Sequence, residues 1–201
     1  MLGIMYENGQ GVPKDHTTAV TWYRKAADQG DANAQCNLGM MYFNGRGTAP
    51  DHAEAAAWFR KAAQQGHASG QFNLGLMCEK GKGVPQDYRF AAAWYRRAAD
   101  QGHTAAKAGA HQSQHQAERI SDKRGGRISS SPQMGREWWV VLGTEPDASF
   151  ETAKQAYKLK MKHYHPDTFA GLGSEFVKLA EESSRELNAA IEEAQRHRRR
   201  R

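Results

Sequence analysis

Apolar residues along the first hundred positions recur at helical spacing, in short runs separated by glycine. Over 32–43, Ala-Asn-Ala-Gln-Cys-Asn-Leu-Gly-Met-Met-Tyr-Phe has this spacing and predicts a helix. Gly45 and Gly47 then supply a left-handed stop and a turn. A second helix is expected over 51–64, opened by Asp51 as its N-cap and closed by Gly66. Ala55, Trp58, Phe59, Ala62 and Ala63 form its inner face, with small alanines for close approach and aromatics to fill the gap between layers. Pro13 and Pro85 fall in the loop before other such helices, where a missing N–H does no harm; Pro50 is displaced by one place.

This two-helix pattern repeats with a period of 36. Gly3, Gly39 and Gly75 keep the register, as do Trp22, Trp58 and Trp94, then Asp15, Asp51 and Asp87, then Gly30, Gly66 and Gly102. One such pair cannot bury its apolar face alone, so stacking is expected. The Leu-Gly-x-Met-Tyr-x-x-Gly-x-Gly and Trp-Tyr-Arg-Lys-Ala-Ala-x-Gln-Gly patterns resemble the Sel-one-like repeat, a relative of the tetratricopeptide repeat, over about residues 1–106. The resemblance implies a right-handed α-solenoid that binds a protein client or partner. Leu2, Ile4, Met5 and Tyr6 have interior character where a terminal repeat normally carries a polar cap, so further repeats upstream are expected. Residues 104–118 keep helix-forming alanines but carry Ala110-His111 in the Leu-Gly register, which reads as a capping helix.

The pattern changes beyond 118. Residues 119–136, rich in Gly, Ser and basic residues, lack periodicity and read as a flexible basic linker. Trp138 to Leu142 is a short apolar element ended by Gly143. Ser149 is a good N-cap for a basic helix over 150–163, with Ala153, Ala156, Met161 and Tyr164 as its buried stripe. Lys154, Lys158 and Lys162 fall at i, i+4 and i+8 and share one side. Pro166 pushes His165 out of helical geometry, and Gly171 and Gly173 extend the loop. A last helix over 174–196 places Phe176, Leu179, Ala180, Ser183, Leu187, Ile191 and Ala194 at helical spacing, so the two long helices should pack as a hairpin.

This segment is similar to the J-domain of DnaJ-type co-chaperones over about residues 137–195. The matching residues are Trp139-x-x-Leu142-Gly143, Ala148-Ser149, Ala156-Tyr157, Tyr164-His165-Pro166-Asp167 and Leu187-Asn188-Ala189-Ala190. The resemblance implies docking on a DnaK-type heat-shock chaperone and stimulation of its ATPase. It assigns His165, Pro166 and Asp167 to the essential loop, and Lys154, Tyr157, Lys158 and Lys162 to the docking face. Lysines on one face steer towards an acidic partner, and a short exposed Asp can pair with an arginine. The bland alternatives are a local hydrogen-bonded cap for His165 and Asp167 and a solvated face for the lysines. Leu159 stands where a basic residue is common and Thr168 where Lys is usual; a Gly/Phe-rich segment and a Cys-x-x-Cys module are missing.

The expected architecture is therefore all-α: a solenoid of helix-turn-helix repeats over 1–118, a linker over 119–136, a J-type helical hairpin over 137–196 and a basic tail over 197–201. Composition sharpens this reading. Of 201 residues, 39% are hydrophobic and 25% charged, enough to build a core. Apolar runs are too short to cross a membrane, and the first six residues do not look like a secretory signal. Cys36 and Cys78 read as core fillers in a reducing compartment, and a cytoplasmic location follows from the need to meet the chaperone. The formal charge of +6 misleads: residues 107–136 hold six basic and two acidic side chains, and Arg196 and Arg198 to Arg201 hold five more positive charges. Nucleic-acid tethering would rest on these two stretches alone and is the lesser reading. The Gly-x-Gly pairs follow helices and lack a Gly-Lys-Ser/Thr, so they are turns and not phosphate loops. His111 and His115 share a helix face without a third ligand. No cofactor, metal or enzymatic activity is expected. The rival to a co-chaperone adaptor is a passive interaction scaffold with a non-functional J-like module.

Overall fold

The computed structural model describes residues 1–125 and 138–199, and every regular element among them is helical. The chain divides into two compact units, Met1–Ile120 and Ser121–Arg201. The first unit holds α1 (Leu2–Asn8), α2 (His16–Asp28), α3 (Ala32–Asn44), α4 (His52–Gln64), α5 (Ala68–Lys80) and α6 (Tyr88–Asp100), followed by α7 (Thr104–Gly125). The three pairs α1/α2, α3/α4 and α5/α6 are the three expected repeats, each helix packing on the next in chain order.

Local chemistry sets these boundaries. Asp15, Asp51 and Asp87 cap α2, α4 and α6, each accepting backbone N–H donors from the first turn. Gly9, Gly45 and Gly81 end α1, α3 and α5 with φ of 74°, 66° and 65°, a conformation that side chains resist. The turns then reach back one repeat. A Cβ on Gly47 would lie 2.2 Å from the His16 carbonyl oxygen, and one on Gly83 would lie 2.1 Å from that of His52. Each glycine thus lets its turn press on the start of the preceding repeat's second helix.

The core lies between layers. Gly3, Gly39 and Gly75 let the rings of Tyr23, Phe59 and Tyr95 approach the helix backbone closely. Two buried glutamines stitch the repeats together. Gln35 donates to the Ala27 carbonyl (3.1 Å) and accepts from Gln65 (2.8 Å); one repeat later Gln71 donates to Ala63 (3.3 Å) and accepts from Gln101 (2.7 Å). A second pairing alternates. Tyr23 donates to Glu7 and Tyr95 to Glu79, both at 2.6 Å, whereas the equivalent positions in the middle repeat are Phe43 and Phe59. Both members change together because either polar group alone would lose its partner in a half-buried place. Burial, reinforced by the adjacent glutamate, pushes both tyrosine hydroxyls well above their usual range. Burial likewise pushes the Cys36 thiol up to about 11 and the Cys78 thiol up to about 12, which makes them poor nucleophiles, consistent with core filling.

The caps of the first helices differ from one another. Asp31 accepts from Ala34 N–H (2.7 Å) at α3, but α5 is capped by His67, whose Nδ1 accepts from Gly70 N–H (3.0 Å) while Nε2 contacts Asn33 Oδ1 (3.1 Å). Only a neutral imidazole can accept there. Burial lowers the His67 pKa, and the charge of Asp31 offsets this in part. The neutral form is thus favoured by folding. Its contribution is complete above the unfolded value of about 6.5 and is lost as pH falls below it towards the lower folded value. We expect His67→Asp to flatten the fall in unfolding midpoint between pH 7 and pH 5.5, measured by thermal melts; an unchanged slope would remove His67 as its source.

Helix α7 is longer than expected. It runs to Gly125, well into the stretch read as linker from 119; the rest of that stretch, 126–136, lies outside the described residues. Within it, Ala106 and Ser113 are buried and Gly109 comes close to the core. A Cβ there would lie 2.9 Å from one edge of the Tyr95 ring, whose other edge faces Gly75.

The second unit comprises α8 (Trp138–Leu142), α9 (Phe150–Tyr164), a 3-10 turn over Pro166–Phe169, and α10 (Ser174–Arg199). The helix α10 continues through His197–Arg199, so the expected basic tail is helical up to there; Arg200 and Arg201 lie outside the described residues. The long pair is an antiparallel hairpin. Tyr164 carbonyl meets Ser184 Oγ, Tyr157 meets Asn188, and Arg198 lies over Phe150, in order along the two helices. Trp138, Leu142, Ala153, Phe176, Ala180, Leu187, Ala190 and Ala194 are its buried core. No helix among the described residues is long and apolar enough to cross a membrane.

Candidate functional site

The residues singled out in the C-terminal segment come together around the end of α9. Ser149 Oγ accepts from Thr152 N–H (3.1 Å) to start this helix. His165 ends it in an extended conformation, with φ −62° and ψ 129°, as expected before proline. The turn is held from both sides. Tyr164 carbonyl, an orphan acceptor at the helix end, takes a hydrogen bond from buried Ser184 Oγ (3.0 Å) on α10. Phe169 is buried and stacks on Phe176 with centroids 6.2 Å apart and planes 9° from parallel.

His165 Nδ1 accepts from Asp167 N–H at 3.3 Å, so the local cap considered from sequence is present. Asp167 Oδ2 stands 3.4 Å from the same nitrogen, but its side chain is 90% exposed. The carboxylate is therefore presented to solvent on a hydrogen-bonded turn. Lys154, Lys158 and Lys162 are exposed along one side of α9 and make no ion pair among the described residues. They span about 12 Å at 1.5 Å per residue. Tyr157 is tied inward as well, donating to Asn188 Oδ1 across the hairpin at 2.7 Å. Leu159 is 61% exposed beside this row.

One residue of this region escaped sequence reasoning. Lys160 lies on the inward side of α9 and donates to the Val141 carbonyl at the end of α8, at 2.7 Å. Its place is seven residues after Ala153 and four before Tyr164, which is the helical spacing of the core stripe. The aliphatic stem covers the core while the ammonium caps α8. Lys160→Ala should lower the stability of this unit by about 1–2 kcal/mol, and Lys158→Ala by less than about 0.5 kcal/mol, both by denaturant melts. Equal losses would show that the Val141 bond contributes nothing.

The repeat unit carries a second surface of interest. Ile4, Met40 and Leu76 occupy equivalent positions of α1, α3 and α5 and form an apolar column, with Ile4 41% and Met40 39% exposed. Asn73 of α5 places its amide against the sulfurs of Met40 (3.6 Å) and Cys36 (3.8 Å) on α3. Among the described residues, no group of three or more His, Cys, Asp or Glu side chains converges as a metal site would require.

The Sel1 repeat family model matches residues 1–31, 32–67 and 68–103, in step with the three helix pairs and across half of the chain. The chain belongs to the Sel1 repeat family. A Sel1 repeat protein from Oxalobacter formigenes is similar in structure, with TM-score 0.54 and 30% identity over 83% of this chain and 58% of that one. So is a protective antigen of uropathogenic Escherichia coli displaying an SLR fold, with TM-score 0.52 and 32% identity over 92% of this chain and 37% of that one. The Sel1 repeats make the first unit a scaffold of the protein-interaction kind. A further similarity is to the chaperone protein DnaJ of Fusobacterium nucleatum subsp. nucleatum, 39% identical over 57 residues. That match covers 28% of this chain and only 14% of the relative. A DnaJ sequence from Fusobacterium nucleatum subsp. polymorphum matches to the same extent.

Proposed function

We propose that this Sel1 repeat protein is a co-chaperone adaptor. Its C-terminal unit acts as a J-domain that docks on a DnaK-type heat-shock chaperone and stimulates its ATPase, while the repeats hold a protein client. The observation that carries the reading is the exposed Asp167 carboxylate on a turn fixed by His165, at the end of a helix whose lysine row makes no ion pair among the described residues. The short similarity to DnaJ supports it.

Each residue has a physical task in this reading. Lys154, Lys158 and Lys162 attract an acidic surface of the chaperone and set the approach. Asp167 forms a charge-assisted pair with an arginine of the chaperone. Pro166 and His165 hold the turn so that Asp167 arrives ordered, which spares the entropy of fixing a loop. Tyr157 contributes an aromatic surface already oriented by Asn188. On the first unit, the Ile4–Met40–Leu76 column receives apolar side chains of the client. The chemistry of ATP hydrolysis stays in the chaperone, and meeting it places the protein in the cytoplasm.

Exposed Leu159 beside the lysine row favours one rival, a scaffold whose J-like unit no longer docks. Single-turnover ATP hydrolysis by a DnaK-type chaperone separates the two. The adaptor requires stimulation by the full chain and its loss in His165→Gln; the scaffold requires neither.

A further inference from the structure

We infer that Arg198, at the far end of α10, is part of the same docking face and lengthens it beyond the lysine row; this rests on the co-chaperone reading. The row is a ridge of positions four apart on α9: 150, 154, 158 and 162. Three of these are lysines and the first is Phe150. The hairpin fills that first place from the other helix. Arg198 lies with its guanidinium carbon 5.4 Å from the centroid of the Phe150 ring, close enough for a cation–π contact. The end of α10 is therefore one helical turn from Lys154. Trp138 fixes the same region, with its ring 6.2 Å from that of His197.

The result is a fourth cation beside the Phe150 end of the lysine row, whose positions recur about every 6 Å along α9. The positive end of the α9 dipole and the negative end of the α10 dipole both lie at the Arg198 end and offset one another, so the field there comes from the side chains. Arg198 makes no ion pair among the described residues. Arg196 faces Glu192 at 3.8 Å and forms a pair of its own, while Arg199 is exposed. Glu151, exposed and next to Phe150, is the nearest carboxylate in sequence and lies to one side of the ridge. A planar guanidinium held over a ring is also ordered before contact, unlike a free arginine at a helix end. The surface fits an acidic strip on the chaperone that extends past the reach of Lys154. A merely structural role would be a cation completing the C-terminus of α10.

The experiment titrates the full chain into an ATP-loaded DnaK-type chaperone and reads single-turnover hydrolysis at low and high salt. Arg198→Ala is expected to raise the half-maximal concentration about 3–10-fold at low salt, with the difference shrinking at 0.5 M salt and the maximal rate unchanged. Arg198→Lys should recover most of the loss, and Arg196→Ala should match wild type. An unchanged half-maximal concentration for Arg198→Ala, beside normal stimulation by wild type, overturns the inference and leaves the co-chaperone reading standing. A loss that ignores salt and tracks a lowered melting temperature assigns Arg198 to structure alone and also overturns it. No stimulation by wild type removes both.

Discussion

Gly83→Ala is expected to unfold the repeat unit at temperatures where the wild type is intact. Two costs combine at this position. The backbone has φ +68°, which a side chain resists by about 1–3 kcal/mol. The new methyl would also lie 2.1 Å from the His52 carbonyl oxygen and 2.3 Å from its carbon. These are backbone atoms at the start of α4, so no rotamer can yield, and the turn must lift off the preceding repeat. Gly66 separates the two costs. Its φ is +86°, but a Cβ there would meet nothing within 4 Å. Gly66→Ala should therefore cost about 1 kcal/mol, and Gly83→Ala on the order of 3 kcal/mol or more, a fall in melting temperature of about 10 °C or greater. Equal losses would mean that the turn does not bear on the preceding repeat.

The contrast shows what a repeat sequence makes legible. The period of 36, the aspartate caps and the glycine stops are local chemistry, and the helices follow them to within a residue or two. The C-terminal hairpin was equally readable, because Pro166 and the spacing of Phe176, Ala180 and Leu187 mark a break and a buried stripe. Contacts between repeats were less visible. Gly47 and Gly83 look like ordinary turn residues until the preceding layer is in place. Gln35 and Gln71 look like surface residues, yet both are buried with partners one helix away. The exchange of Tyr23/Glu7 and Tyr95/Glu79 for Phe59/Phe43 could have been found by comparing the repeats in register, since both positions switch together. Lys160 was hidden by its charge: its spacing placed it in the core stripe, but its polarity argued for the surface. Arg198 could not be found by spacing at all, because its neighbour Phe150 lies on another helix.

The second large effect concerns the loop. Asp167→Asn keeps the size of the side chain and the backbone N–H that His165 accepts from, and removes only an exposed charge. Its stability should match wild type to within about 0.5 kcal/mol. In the proposed function it should nevertheless lose at least about 10-fold in stimulating the chaperone, because a charge-assisted pair with an arginine becomes an ordinary hydrogen bond. His165→Gln acts differently: it disturbs the cap that orders the turn, so both binding and stimulation should fall. Neither change touches the core around Phe169 and Phe176, and the hairpin should stay folded.

The most direct measurement is the rate of single-turnover ATP hydrolysis by a DnaK-type chaperone, alone and with saturating full chain carrying wild-type or Asn at 167. The co-chaperone function predicts clear acceleration by the wild type and a near-basal rate with Asp167→Asn, while both proteins give the same melting curve. Equal acceleration by the two proteins, or none by the wild type, would contradict it.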